Sequence, residues 1–272
     1  VICLVGTRSD AKVYLVDFDE PAAEFLMLQA INTIRYQEGL PLLMLDENLS
    51  QVSRRHSLDM ARHDYFDHFS PSGLSPTDRA QLAGIPDDIY ENIGIIRTYG
   101  QTVDQVVNSL MRNFMASPQH RDNILNPDVT HVGIGFYQDL DNSNHRLNGE
   151  MDANLTYTGY GTVLVTQDYC RRQVRLLEPP HFDGWTRPGE FMTLLLDFAD
   201  DADEAFLRII PHDSPQGEFE VPLMRSGGGF KARFAIDTEG SFTVAIYANT
   251  ISQDWFYREH GRLELTVKSR HP

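Results

Sequence analysis

Along the first half of the chain, apolar residues return at three- and four-residue intervals, the period of helices with one buried face. Leu28, Ile31 and Ile34 form one such stripe, opened by Asp19-Glu20-Pro21 and closed by Gly39 and Pro41. Leu49, Val52, His56 and Met60 form a second, with Asp46 as its N-cap and an end near His63. Ser75-Pro76-Thr77-Asp78 begins a short third helix that Gly84-Ile85-Pro86 stops. Val103, Val106, Val107, Leu110 and Phe114 line a fourth over residues 102–115, and Ser117-Pro118 starts a turn and short helix that Asn126-Pro127 breaks. Strand-like runs occur at residues 11–18, 132–136 and 155–165.

From about residue 190 the period changes. Runs rich in β-branched and aromatic residues at 191–198, 206–210, 218–223, 230–236, 242–247 and 263–267 are separated by turn residues, and Phe230, Ala232, Phe234 and Ile236 alternate toward one face. This pattern predicts an antiparallel, Ig-like β-sandwich. Pro179-Pro180, Asp183-Gly184 and Pro188-Gly189 punctuate the stretch between the two patterns. The expected organisation is an N-terminal segment (1–20), an α/β domain (21–170), a linker (171–188) and a β-sandwich domain (189–272) able to fold by itself.

A length of 272 residues agrees with two domains, and a formal net charge of -16 disfavours nucleic acid and anionic membranes as partners, a local basic patch aside. The longest apolar runs, 40–45 and 191–196, have strand or core length, so no transmembrane segment is expected. The opening Val-Ile-Cys-Leu-Val-Gly reads either as the tail of a targeting segment or as a short strand. Cys3 and Cys170 make no zinc pattern; one bridge between them and two free thiols are both open.

Candidate chemistry concentrates in residues 65–135. His68 stands in Asp-His-Phe-Ser-Pro-Ser-Gly, Glu91 in Tyr-Glu-Asn-Ile-Gly, and His120 in Ser-Pro-Gln-His-Arg-Asp-Asn-Ile-Leu. Imidazole binds transition metals and titrates near neutrality, and a carboxylate can join it as ligand or base. None of the three pairs has the one-turn spacing of a helical metal motif, so a turn histidine bonded to backbone and a structural Glu91 are the bland alternatives. A glutamate among apolar neighbours requires a partner, for which His68, His120 and Arg121 are candidates. His56 and His63 lie two helical turns apart, too far to share an ion, and are expected to be a core and a surface histidine; His131 is expected to be structural. The acidic, Asn-rich stretch 139–154 lacks the ordered ligand spacing of a calcium loop and is expected to be a solvated hairpin. Trp185, Trp255, Phe256 and Tyr257 suit either sugar stacking, hence a cell-surface or carbohydrate contact, or core packing.

The order of His-Ser-Leu-Asp-Met-Ala, Tyr-Phe-Asp-His-Phe-Ser-Pro-Ser-Gly, Glu-Asn-Ile, Ser-Pro-Gln-His-Arg-Asp-Asn-Ile-Leu-Asn-Pro and Thr-His-Val-Gly-Ile-Gly resembles the bacterial branch of the CAP superfamily over about residues 21–168. That superfamily joins cysteine-rich secretory proteins, antigen 5 and plant pathogenesis-related proteins through an SCP-like extracellular domain. The resemblance implies an α-β-α sandwich with an open cleft lined by two histidines, here His68 and His120, and usually two acids, of which Glu91 is the first. At the place of the second acid this chain has Ser117. The resemblance further implies an extracellular or cell-surface protein that binds a divalent metal, Zn²⁺ by preference, through His68 and His120, or a small-molecule, lipid or protein ligand. The alternative is a metal-dependent, peptidase-like hydrolase in which His68 and His120 hold the ion and Glu91 activates water.

Overall fold

Asp19 opens the first long helix as the sequence predicts, its Oδ1 accepting the Ala22 N–H at 3.0 Å and so satisfying one of the bare amides of the first turn. A computed structural model of the chain describes residues 3–5, 13–15, 17–98, 100–139, 157–159, 161–172, 174–178, 185–198, 202–212, 217–227, 229–250 and 258–269. Most of the acidic stretch, the Pro179-Pro180 and Asp183-Gly184 turns, the side chains of Cys3 and Trp185, and Trp255, Phe256 and Tyr257 lie outside the described residues.

In chain order the elements are β1 (Cys3–Val5), β2 (Val13–Leu15), α1 (Glu20–Gln37), β3 (Met44–Leu45), α2 (Glu47–Arg62), α3 (Pro76–Leu82), β4 (Tyr90–Thr98), α4 (Val103–Ala116), α5 (Pro118–Ile124) and β5 (His131–Asp139). There follow β6 (Tyr157–Gly159), β7 (Gly161–Cys170), β8 (Val174–Glu178), β9 (Trp185–Thr186), β10 (Met192–Phe198), β11 (Ala202–Pro211), β12 (Phe219–Ser226), β13 (Gly229–Phe234), β14 (Gly240–Thr250) and β15 (Arg258–Val267). Two compact units divide them: one within residues 1–30, 48–124 and 133–169, the other within 31–47, 125–132 and 170–272.

In the first unit β7 lies between β4 and β5, and β1, β2 and β6 form a small separate sheet. Alternation along β4 and β7 sends their side chains to two helical layers. On one face Ser53 and Ser57 of α2 reach Asp168 and Thr166. On the other, Phe114 and Leu110 of α4 close on Gly94, where a Cβ would meet the Phe114 ring at 2.8 Å. This is the expected α-β-α arrangement. Helix α2 sits so close to β5 that a Cβ at Gly133 or Gly135 would collide with its backbone at Leu49–Ser50 or Ser53–Arg54. Glycine is required there by proximity rather than by a backbone angle.

In the second unit the strands run β15-β14-β11-β12-β13-β10-β8, with every neighbouring pair antiparallel. Residues Phe219 to Leu223 of β12 pair with β11 and Met224 to Ser226 with β13, so one strand joins both halves of the path. This path does not by itself set off a separate Ig-like domain. Phe230, Ala232, Phe234 and Ile236 do face inward, sharing a core with Leu207, Ile209, Val244, Ile246 and Leu265. Leu42 and Met44 belong to the same core, and Leu45 pairs with Arg262 of β15. The unit therefore draws on residues 31–47, which the sequence pattern groups with the α/β domain. His131 is structural as expected: it is fully buried and its Nε2 lies 2.6 Å from the His260 carbonyl.

Candidate functional site

The loop that carries His68 is shaped by a turn in which Ser70 N–H donates to the Leu74 carbonyl at 3.0 Å and Gly73 N–H to the Ser70 carbonyl at 2.8 Å. Gly73 has φ +85°, a left-handed conformation that a side chain would strain. Immediately afterwards Ser75 caps α3, its hydroxyl accepting the Asp78 N–H while Asp78 accepts the Ser75 N–H. That fixed cap sets the direction of Arg79 one residue later. Its guanidinium donates to the His68 carbonyl at 2.7 Å, to the Leu74 carbonyl at 3.2 Å, and, in an ion pair, to Glu91 Oε2.

Glu91 stands at the start of β4. Its side chain is 1% exposed, and the oxygen not bonded to Arg79 accepts from His68 Nδ1 at 2.8 Å. The bond places the His68 proton on Nδ1 and leaves Nε2 as the free acceptor of an imidazole that is 44% exposed. The hydrogen bond and charge of Glu91 raise the His68 pKa against an opposing effect of burial. His56 lies behind, with Nε2 3.9 Å from Glu91 Oε2 and 3.1 Å from the Asp67 carbonyl. Burial pushes it down to about 4, so it packs as a neutral core histidine, whereas His63 is exposed beside Asp59.

His120 arrives from α5 on the other side of β4. Asn92 Nδ2 donates to its carbonyl at 3.1 Å, and its ring meets Phe114 edge-on at 5.3 Å. Burial and then the charge of nearby His68 lower its pKa, which keeps it neutral. Asn123 of α5 donates to the Glu91 carbonyl and to Asn92 Oδ1, so α5 is bolted to the strand bearing Glu91. The structure thus brings His68 and Glu91 into direct contact and sets His120 near enough to feel the His68 charge. Arg121 is exposed and Glu91 takes Arg79 as its cation instead. Ser117 ends α4, its N–H donating to the Asn113 and Phe114 carbonyls.

One role expected for Glu91 meets a physical obstacle. A base that activates water must reach water, and this carboxylate is buried with one oxygen on His68 and the other on Arg79. The sequence reading did not single out Arg79, Asn92, Asn123 or Asp168, the last being a fully buried acid placed opposite Glu91 by the β4–β7 register. Among the described residues no three His, Cys, Asp or Glu side chains are grouped closely enough to cage a metal. The donor set that remains is two neutral-capable imidazoles, one of them with its far nitrogen fixed by a carboxylate.

Residues 28–169, more than half the chain, match the cysteine-rich secretory protein family. The protein belongs to this CAP family. Among curated relatives, the uncharacterized protein YkwD of Bacillus subtilis (strain 168) is 39% identical over 117 residues, 43% of this chain and 43% of that protein. The uncharacterized membrane protein YlbC of the same strain is 30% identical over 117 residues, 43% of this chain and 32% of that protein. The match therefore spans less than half the length of either relative. Among solved structures, an extracellular protein containing a SCP domain from Bacillus anthracis str. Ames has a TM-score of 0.42 at 25% identity, covering 56% of this chain and 41% of that one. An outer surface protein from Borrelia burgdorferi has a TM-score of 0.41 at 16% identity, covering 58% and 97%. No helix among the described residues is long and apolar enough to cross a membrane.

Proposed function

We propose that this CAP-domain protein is an extracellular or cell-surface binding protein that holds a divalent metal ion through His68 Nε2 and His120. The observation that carries the reading is the engagement of both Glu91 oxygens, which makes Glu91 an orienting group and turns the His68 lone pair outward. A carboxylate on the far nitrogen of a metal-binding histidine fixes its tautomer and raises its basicity as a ligand. Two imidazoles suit Zn²⁺, and water or a ligand's own donor would complete the shell, so the ion would present open positions to a bound molecule. Extracellular placement follows the secretory family. The β-rich unit would serve as an accessory surface.

A hydrolase with Glu91 as its base is disfavoured, because that role needs a carboxylate open to water. Calorimetric titration of tag-free protein with Zn²⁺ tests the binding reading. One ion per chain is expected, with binding abolished or weakened at least about tenfold in His68→Ala and in His120→Ala, and weakened about 10–100-fold in a folded Glu91→Gln protein. Absence of Zn²⁺ binding by the wild type, or equal binding by His68→Ala, would overturn it.

A further inference from the structure

Arg79 makes more contacts at the site than neutralising Glu91 requires. Its side chain is 10% exposed and enters from α3, where the Ser75–Asp78 cap fixes the start of the helix. One terminal nitrogen, Nη1, donates to the His68 carbonyl at 2.7 Å and to the Leu74 carbonyl at 3.2 Å. The other, Nη2, donates to Glu91 Oε2, while Glu91 Oε1 accepts from the ring of His68 at 2.8 Å. These contacts close a circuit that runs from the His68 backbone through guanidinium and carboxylate to the His68 imidazole. The Arg79 Nε, by contrast, is buried with no acceptor. A buried donor left bare costs free energy, so the guanidinium is seated for its two terminal nitrogens at the expense of the third.

We propose that Arg79 is a positioning residue for His68: it holds the main chain of the 68–74 loop and the Glu91 carboxylate at a fixed separation, and that separation aims Nε2. What the lock is for rests on the metal-binding reading of His68; the lock itself is a property of the metal-free chain. The turn's own bonds, from Ser70 N–H to the Leu74 carbonyl and from Gly73 N–H to the Ser70 carbonyl, shape the loop without tying it to β4. Arg79 supplies that tie from both terminal nitrogens of one planar group. A lysine in its place keeps the charge, but its ammonium is a single point on a flexible stem and does not span carboxylate and loop carbonyl with the geometry of a fork. An arginine present only to neutralise Glu91 would be replaced by lysine with little effect on His68.

Arg79→Lys separates the two roles. In the metal-free variant, ¹H–¹⁵N spectra of the neutral His68 ring should show both tautomers in place of the Nδ1–H form alone, and amide relaxation should show residues 68–74 freed on the nanosecond timescale. Zn²⁺ affinity measured by calorimetry should fall about tenfold or more. A variant that keeps the wild-type tautomer, a rigid 68–74 backbone and wild-type Zn²⁺ affinity would overturn the proposal whatever its melting midpoint, since lost stability alone is a structural role. Should the variant fail to fold, the wild type decides. With Nη1 and Nη2 held on different acceptors, Arg79 should give separate, slowly exchanging Nη resonances, and one averaged signal would overturn the lock. Absence of Zn²⁺ binding by the wild type would sink the binding reading instead, and the metal-free spectra would still decide the role of Arg79.

Discussion

Replacing Glu91 by Gln is expected to destabilise the fold by about 3–5 kcal/mol at pH 7, the cost of stranding one member of a buried ion pair. Glu91 and Arg79 are 1% and 10% exposed, so solvent screens their contact little. A glutamine keeps the shape and removes the charge, leaving the guanidinium under β4 without its counter-ion. It also gives the amide two N–H bonds in a place already filled with donors from Arg79 and His68. Replacing Arg79 and Glu91 together by apolar residues of similar size should cost less than Glu91→Gln alone, because no uncompensated charge remains. The pH dependence has a sign as well. The raised pKa of His68 means that its contact with Glu91 contributes fully below the unfolded value of about 6.5 and is lost as pH rises through the folded value. The deficit of Glu91→Gln should therefore be larger at pH 6 than at pH 9, and urea unfolding at both pH values measures it. A loss below about 1 kcal/mol at pH 7 would mean that Arg79 finds another partner.

Gly135→Ala is expected to cost about 3 kcal/mol, at the upper end for overpacking a core, because the added methyl meets backbone rather than a yielding side chain. The atoms in its way are those of Ser53 and Arg54 in α2. Moving that helix outward lengthens the Ser57 hydroxyl bond to the Gly135 carbonyl, now 2.8 Å, and withdraws Ser53 from Asp168. The defect should thus reach Asp168, which stands across from Glu91 in the strand register. Gly217→Ala is the control: nothing lies within 4 Å of its Cβ position, and a change within about 0.5 kcal/mol is expected from chemical denaturation.

What the sequence made legible is local. Helix caps at Asp19, Ser75 and Thr102, the inward alternation from Phe230 to Ile236, and the motif positions of His68, Glu91 and His120 can be read from neighbours within a few residues. What escaped depends on pairing between distant segments. The family resemblance places a second acid beside His120, where Ser117 stands, while the acid across from Glu91 comes from β7 through strand register. One sequence signal was present: Asp168 interrupts the strand Gly161–Cys170, which is buried along its whole length, and a charge there needs a reason. Arg79 was hidden differently. Its helix was anticipated, but the reach of its side chain to Glu91 follows from three-dimensional proximity of α3 and β4. The grouping of Leu42 and Met44 with the β-rich core escaped because the chain visits that unit briefly and returns, without a change in composition to mark it.

Glu91 holds the proton of His68 on Nδ1 and turns Nε2 outward. Imidazole ¹H–¹⁵N correlation spectra of the neutral His68 ring, recorded above its folded pKa and assigned with His68→Ala, test this most directly. The Nδ1–H tautomer is expected; a His68 found chiefly as the Nε2–H tautomer would mean that Glu91 does not orient the ring.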